Sequence, residues 1–129
     1  MGVINEDSWI KVNRTEVVAS KQLWHDHWLP LTNLDLLVPP FEVGSFFYYK
    51  KPHEPVDVTT MVDALKTSVS QALILFYPLA GEIVHNSAGE PEIHYNNKGV
   101  EVIEAAADVE IRELNFHNPD ESIEGKLMP

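Results

Sequence analysis

A chain of 129 residues with 44% apolar and 22% charged side chains has the make-up of a soluble globular protein, large enough to bury a modest core and too apolar to stay disordered. Twenty acidic against nine basic residues leave a net charge of −11, which repels phosphate backbones and anionic lipid and so argues against nucleic-acid and membrane partners. The absence of cysteine excludes disulfides, thiolate metal sites and thiol nucleophiles, and fits a reducing compartment, with the cytoplasm as the default location.

The acid is concentrated late in the chain. Residues 1–81 hold nine Asp/Glu and six Lys/Arg, whereas residues 82–129 hold eleven and three. The start, "MGVINEDSW", has no apolar run for a signal peptide, and Glu6 stands where a myristoylation signal needs Ser or Thr. No apolar span of 18 residues occurs anywhere.

In chain order, "VNRTEVVAS" (Val12–Ser20) carries β-branched residues at Val12, Thr15, Val17 and Val18 and reads as a strand. The following "KQLWHDHWLPLTNLDLLVPP" is broken by Pro30, Pro39 and Pro40 and reads as a loop with a short turn over Thr32–Leu36. "GSFFYYKKP" (Gly44–Pro52) is an unbroken aromatic run that suits a central strand buried on both faces. After it the apolar period changes. Val62, Leu65, Val69, Leu73 and Phe76 recur every three or four residues, which predicts a long helix, with a capping-box spacing at Thr60 and Asp63 and a stop at Pro78 and Gly81. From Glu82, three strands joined by turns at "NSAGEP" and "NNKG" predict a β-meander. The tail "NFHNPDESIEGKLMP" is loop-like. The whole is a mixed α/β sheet with flanking helices.

Four motifs invite a chemical reading, and each has a plainer one. "HEPVD" places His53 and Asp57 in a His-x-x-x-Asp spacing, but His53 lies between Pro52 and Pro55 in a loop and Asp57 suits the helix N-cap region. "HDH" (His25–His27) has a chelating spacing, yet His85, His94 and His117 complete no ligand set, and the flanking Trp24 and Trp28 favour packing or an interface. "NSAGEP" lacks the glycine spacing and lysine of a phosphate loop, and Glu90 repels phosphate, so it is a hairpin turn. "YPLAG" (Tyr77–Gly81) offers no acid, base or nucleophile besides Tyr77 and serves as a helix stop and strand entry. No Ser-His-Asp set is visible, and Ser68 and Ser70 sit within the helix.

Taken together, "LTNLDLLVPP", "SFFYYKKP", "LILFYPLAGEI" and "NSAGEPEIHYNNKGVEVIEAAADVEIREL" follow one another in an order that resembles the N-terminal part of the plant BAHD acyltransferases, nearest to the hydroxycinnamoyl-CoA-dependent members. The resemblance covers nearly the whole chain. It implies that residues 1–129 are the N-terminal part of one half of a two-domain enzyme with a chloramphenicol-acetyltransferase-like fold, moving an acyl group from coenzyme A to an alcohol or amine. Acyl-CoA is then a co-substrate, with no tightly bound cofactor and no metal. The family's catalytic His-x-x-x-Asp lies beyond Pro129, so no catalytic residue is expected here and "HEPVD" stands at the wrong place.

Carried over position by position, the resemblance makes Glu42, Ser45 and Phe47 candidates for the acceptor pocket; the plainer alternative is that they only pack the strand. Relatives with shikimate-like acceptors tend to have His and Tyr where this chain has Glu42 and Phe47, a departure that weakens the case for shikimate. The implied partners are the remainder of the acyltransferase, in the same protein or as a separate chain, and a small acyl acceptor. A different class of protein remains open: a naturally truncated, non-catalytic relative that binds a ligand or a partner.

Overall fold

A computed structural model describes residues 10–41 and 43–114. The N-terminal "MGVINEDSW" and the tail from Asn115 lie outside the described residues, as does Glu42. Five strands and one long helix follow in the order β1 (Ile10–Val18), β2 (His27–Pro30), α1 (Val58–Leu75), β3 (Glu82–His85), β4 (Pro91–Tyr95) and β5 (Val100–Ala107). Short 3-10 turns occupy Asp35–Leu37, Tyr77–Ala80 and Ile111–Glu113. The mixed α/β character expected from the sequence is present, and no described helix is long and apolar enough to cross a membrane.

By chain contacts the backbone divides into two units. Of the described residues, one holds 10–15, 43–51 and 103–114, and the other holds 16–41 and 52–102. Within the larger unit the sheet order is β2-β4-β3, both pairs antiparallel. Register is fixed by His27 opposite Tyr95 and Trp28 opposite His94 on one side of β4, and by Glu82 opposite His94 on the other. β5 pairs with β1 instead of extending this sheet.

Three expectations are corrected here. The stretch read as loop contains β2, whose Pro30 is tolerated because β2 lies at one edge of the sheet among the described residues and Pro30 is its last residue. The meander stops at a hairpin, since the third strand goes to β1; it also ends at Ala107, so "ADVEI" leaves the strand and enters a turn boxed by Glu110 and Glu113. The aromatic run is not a buried central strand. Residues 43–51 form no strand, and Phe47 and Tyr49 are 78% and 76% exposed. Phe46 and Tyr48 do stack, with centroids 6.3 Å apart, as extended backbone places alternate residues on one side. What is missing is a neighbouring strand among the described residues.

The long helix forms as the period predicts, but it begins one turn earlier than the capping-box reading. Asp57 holds the N-cap position without a side-chain hydrogen bond, which leaves Thr60 inside the first turn. Its inward stripe is also rotated. Val62, Lys66, Val69 and Leu73 are covered, and Leu65 and Phe76 are exposed. Lys66 can lie on this side because its ammonium is paired with Glu16 of β1. Leu73, Ala80 and Tyr95 form the buried centre, with Val69, Tyr77 and Val100 packed around it.

The helix ends where Pro78 was expected to end it, and Gly81 has a specific use. A Cβ at Gly81 would stand 2.5 Å from the His94 carbonyl oxygen, so only glycine lets the helix exit lie this close to β4. The "NSAGEP" turn is the hairpin anticipated. Asn86 Oδ1 accepts from the backbone N–H groups of Ala88 and Glu90 at 2.9 and 3.0 Å, which occupies amides that a phosphate loop would offer to its ligand. The Thr32–Leu36 turn is likewise closed by side chains: the Thr32 hydroxyl and amide both donate to Asp35 Oδ2, at 2.7 and 2.8 Å. These two bonds, the hydroxyl first, hold the Asp35 carboxyl below its ordinary range.

Candidate functional site

Of the candidate pocket positions, Ser45 and Phe47 lie on the extended, exposed stretch 43–51, and Glu42 lies outside the described residues. His53 is exposed in the loop before α1, and no nucleophile or carboxylate is bonded to it among the described residues. Asp57 takes the N-cap position of α1.

The "HDH" residues go three separate ways. His25 is exposed, and its carbonyl accepts from His27 Nδ1 at 2.5 Å. The His27 ring packs against Tyr77 and Tyr95 at centroid distances of 5.6 and 5.3 Å. Asp26 instead receives a hydrogen bond from His94 Nε2 at 3.0 Å. The side chains therefore do not converge, and among the described residues no group of three or more His, Cys, Asp or Glu could hold a metal ion.

What the motif does is dock β2. Trp24 stacks on Tyr77 at 5.0 Å, and Tyr77 meets Tyr95 edge-on at 4.9 Å. Trp28 lies flat on His94, with centroids 4.2 Å apart and planes within 5°. Asn97 completes the attachment. Its amide N–H donates to the Trp24 carbonyl at 2.8 Å, while its Oδ1 accepts from the Trp24 backbone N–H at 3.0 Å and from the Tyr95 hydroxyl at 2.6 Å. A side-chain amide thus imitates a β-ladder rung. Burial pushes the Tyr95 phenol above its ordinary pKa.

The Asp26–His94 pair is the one arrangement here with a familiar chemical shape, a carboxylate orienting an imidazole. Among the described residues no hydroxyl or amine is bonded to His94 Nδ1. Sequence reading missed the pair because Asp26 and His94 are 68 residues apart and meet only once β2 is recognised as a strand.

Across β4 from Trp28, Glu82 is held by Lys98 Nζ at 2.8 Å and by Asn96 Nδ2 at 3.1 Å. The hydrogen bond and then the charge of Lys98 keep the Glu82 carboxyl below its ordinary pKa, and Glu82 raises that of Lys98 in return. The sign follows for each partner. Glu82's contribution is present above the ordinary carboxylate range and fades as pH falls through its lowered pKa; that of Lys98 is present below the ordinary lysine range and fades as pH rises through its raised pKa. Lys98→Met is expected to move the Glu82 carboxyl titration upward in a carbonyl-detected NMR experiment. An unmoved titration would show that Lys98 is not the group holding it.

The Transferase family model matches residues 9–129. The putrescine hydroxycinnamoyltransferase 1 of Oryza sativa subsp. japonica is 30% identical over 121 residues, which is 93% of this chain and 27% of that protein. The hydroxycinnamoyltransferase of Narcissus pseudonarcissus is 33% identical over 129 residues, 98% of this chain and 27% of its own length. The shikimate O-hydroxycinnamoyltransferase of Nicotiana tabacum is 34% identical over 88 residues. This chain spans about a quarter of the length of the first two. A match that runs through the docked "HDH" strand, the long helix, "YPLAG" and the hairpin makes the chain a member of the Transferase family, as its BAHD-like motifs implied.

Proposed function

We propose that this chain is the N-terminal portion of an acyl-CoA-dependent acyltransferase of chloramphenicol-acetyltransferase-like fold, acting in the cytoplasm. The acyl group is hydroxycinnamoyl, and the acceptor is an alcohol or an amine. In the reaction the acceptor oxygen or nitrogen attacks the thioester carbonyl, the C–S bond breaks, and coenzyme A leaves as the thiol with the acceptor's proton. The base for that proton belongs to the remainder of the enzyme, so the 129-residue chain contributes one wall of the acceptor site, through Glu42, Ser45 and Phe47, and no catalytic group.

The observation that carries this reading is the family match from residue 9 to residue 129, joined to relatives named for hydroxycinnamoyl transfer of which this chain spans about a quarter. A second observation weighs against a self-sufficient binding module. Val17, Leu37 and Val38 stand exposed, as surfaces do that another part of a protein covers.

The test is a chimaera in which this chain replaces the matching N-terminal part of the Narcissus hydroxycinnamoyltransferase. It is expected to release coenzyme A from a hydroxycinnamoyl-CoA in the presence of an amine or alcohol acceptor, whereas the isolated chain is expected to release none. Within the chimaera, Phe47→Ala is expected to raise the acceptor KM by roughly tenfold with little change in the KM for acyl-CoA. A folded chimaera inactive with every acceptor would sink the acyltransferase reading; equal effects on both substrates would remove Phe47 from the acceptor pocket.

A further inference from the structure

His94 sits on the middle strand of the β2-β4-β3 sheet and is met from both neighbouring strands. From the β2 side, Trp28 lies flat on its ring with centroids 4.2 Å apart, and both carboxylate oxygens of Asp26 are in reach of Nε2, at 3.0 and 3.2 Å. From β3, Glu82 stands directly opposite. On β4 itself Glu92, two residues away, shares the same side of the strand, its carboxylate receiving a hydrogen bond from Asn86 Nδ2 at 2.9 Å. Lys98 is also near, but its ammonium is committed to Glu82 at 2.8 Å. Tyr95 and His27, paired across the two strands, point to the other side of the sheet.

These surroundings tell the two forms of the ring apart. A neutral imidazole makes one ordinary hydrogen bond and one ring-on-ring stack. With a second proton, the bond to Asp26 becomes charge-assisted and the stack on Trp28 becomes a cation–π contact. The charge is also felt across the strand, where Lys98 first and His94 after it hold the Glu82 carboxyl below its ordinary range. Partial burial, at 22% exposure, works against the charged ring. The carboxylates outweigh it, since they meet the ring from three sides and the nearby cation is already paired.

β2 is the element with most to gain. It is four residues long and, among the described residues, pairs with β4 alone. The stack of Trp24 on Tyr77 and the Asn97 clasp hold it through groups that carry no charge near neutrality. The two remaining attachments, Asp26 and Trp28, both end on His94. His27, the other histidine of β2, is bonded to the His25 carbonyl and to no carboxylate among the described residues.

We propose that His94 is a pH-sensitive latch for β2: a proton on its ring tightens the hold on Asp26 and Trp28, and loss of that proton loosens the strand. Imidazole changes charge between about pH 5 and 8. The docked strand favours the protonated ring, so the added hold is present at the acidic end of that range and is lost as pH rises through it. Asp26 is 65% exposed, so water screens the pair, and the effect is a few-fold change in opening of the strand and not its release.

The experiment measures amide hydrogen exchange at pH 5.5 and at pH 8.0, in the 129-residue chain and in the chimaera with the Narcissus enzyme. Protection factors, which divide out the chemical exchange rate at each pH, are compared for residues 24–30 and for the β3–β4 hairpin. Protection of 24–30 is expected to fall about fivefold between the two pH values, while that of the hairpin stays level. Asp26→Asn, which keeps an oxygen acceptor and removes the charge, and His94→Gln, which cannot gain a proton, are each expected to flatten the fall to within about twofold.

A fall of equal size in Asp26→Asn overturns the latch by assigning the pH response to another group, His27 first among them. Protection of 24–30 that is level or rising with pH in the unaltered protein overturns it as well. If His94→Gln also strips protection from the hairpin, the strand has been lost for want of packing, and Asp26→Asn, at an exposed side chain, decides alone. The latch does not depend on the acyltransferase reading, and a chimaera inactive with every acceptor leaves the exchange result to stand by itself.

Discussion

Tyr95→Ala is expected to lower the unfolding free energy by about 3–5 kcal/mol, enough to unfold a marginally stable domain. Tyr95 is the largest fully buried side chain among the described residues, 0% exposed, and its ring touches those of Tyr77 and His27. Truncation would remove the centre of the core and leave a cavity between β4 and the helix exit. Its hydroxyl has a separate part, donating to Asn97 Oδ1 at 2.6 Å. Tyr95→Phe keeps the volume and deletes that donor, so it should cost only about 1 kcal/mol. Urea denaturation of both variants decides the matter. A Tyr95→Ala loss no greater than that of Tyr95→Phe would mean that the ring does not support the core.

Gly99→Ala is expected to cost about 2–4 kcal/mol although it adds a single methyl group. Gly99 sits at φ +88°, where an L side chain is strained, and a Cβ there would stand 2.6 Å from the Val18 carbonyl oxygen. The obstacle is backbone, which cannot swing aside as a side-chain tip could. The Gly99 amide also donates to the Ala80 carbonyl at 2.9 Å, so any shift that relieves the clash pulls on the chain just before Gly81. Thermal and urea melts should show the loss. Gly89→Ala is the informative comparison, because it has a similar φ of +80° with nothing within 4 Å of the added Cβ. Equal losses at the two glycines would attribute the effect to backbone conformation alone.

The helix, its stop at "YPLAG" and the "NSAGEP" turn could be read from the sequence because local rules decide them: a 3.6-residue period, a proline, a turn-forming asparagine. β2 could not. Four residues long, ending in proline and preceded by "HD", it has no strand signature of its own and exists through contacts of Trp24, Asp26 and Trp28 with residues some seventy positions later. The aromatic run misled for the opposite reason. Phe46 to Tyr49 have the composition of a buried strand, but composition states a demand for cover without saying which residues meet it. The inward stripe of α1 was drawn through Leu65 and Phe76, where the structure has Lys66. Hydrophobicity alone would not place an ammonium there, and the Glu16 that accepts it lies on another element. Ser45 and Phe47 lie exposed on an extended stretch, and no periodicity or turn signal in the sequence marks such positions as a site.

The Asn97 clasp on Trp24 also has a consequence in time. It joins residues 73 positions apart, and among the described residues β2 has no strand beside it other than β4. During synthesis at about 5–20 residues per second, β2 leaves the ribosome several seconds before the segment that will hold it. The β3–β4 hairpin, by contrast, closes over a few residues on a timescale of about 1–10 μs once made. The nascent chain therefore carries Trp24 and Trp28 without their partners while some seventy residues are added, an interval that ends only when Tyr95 and Asn97 have been made.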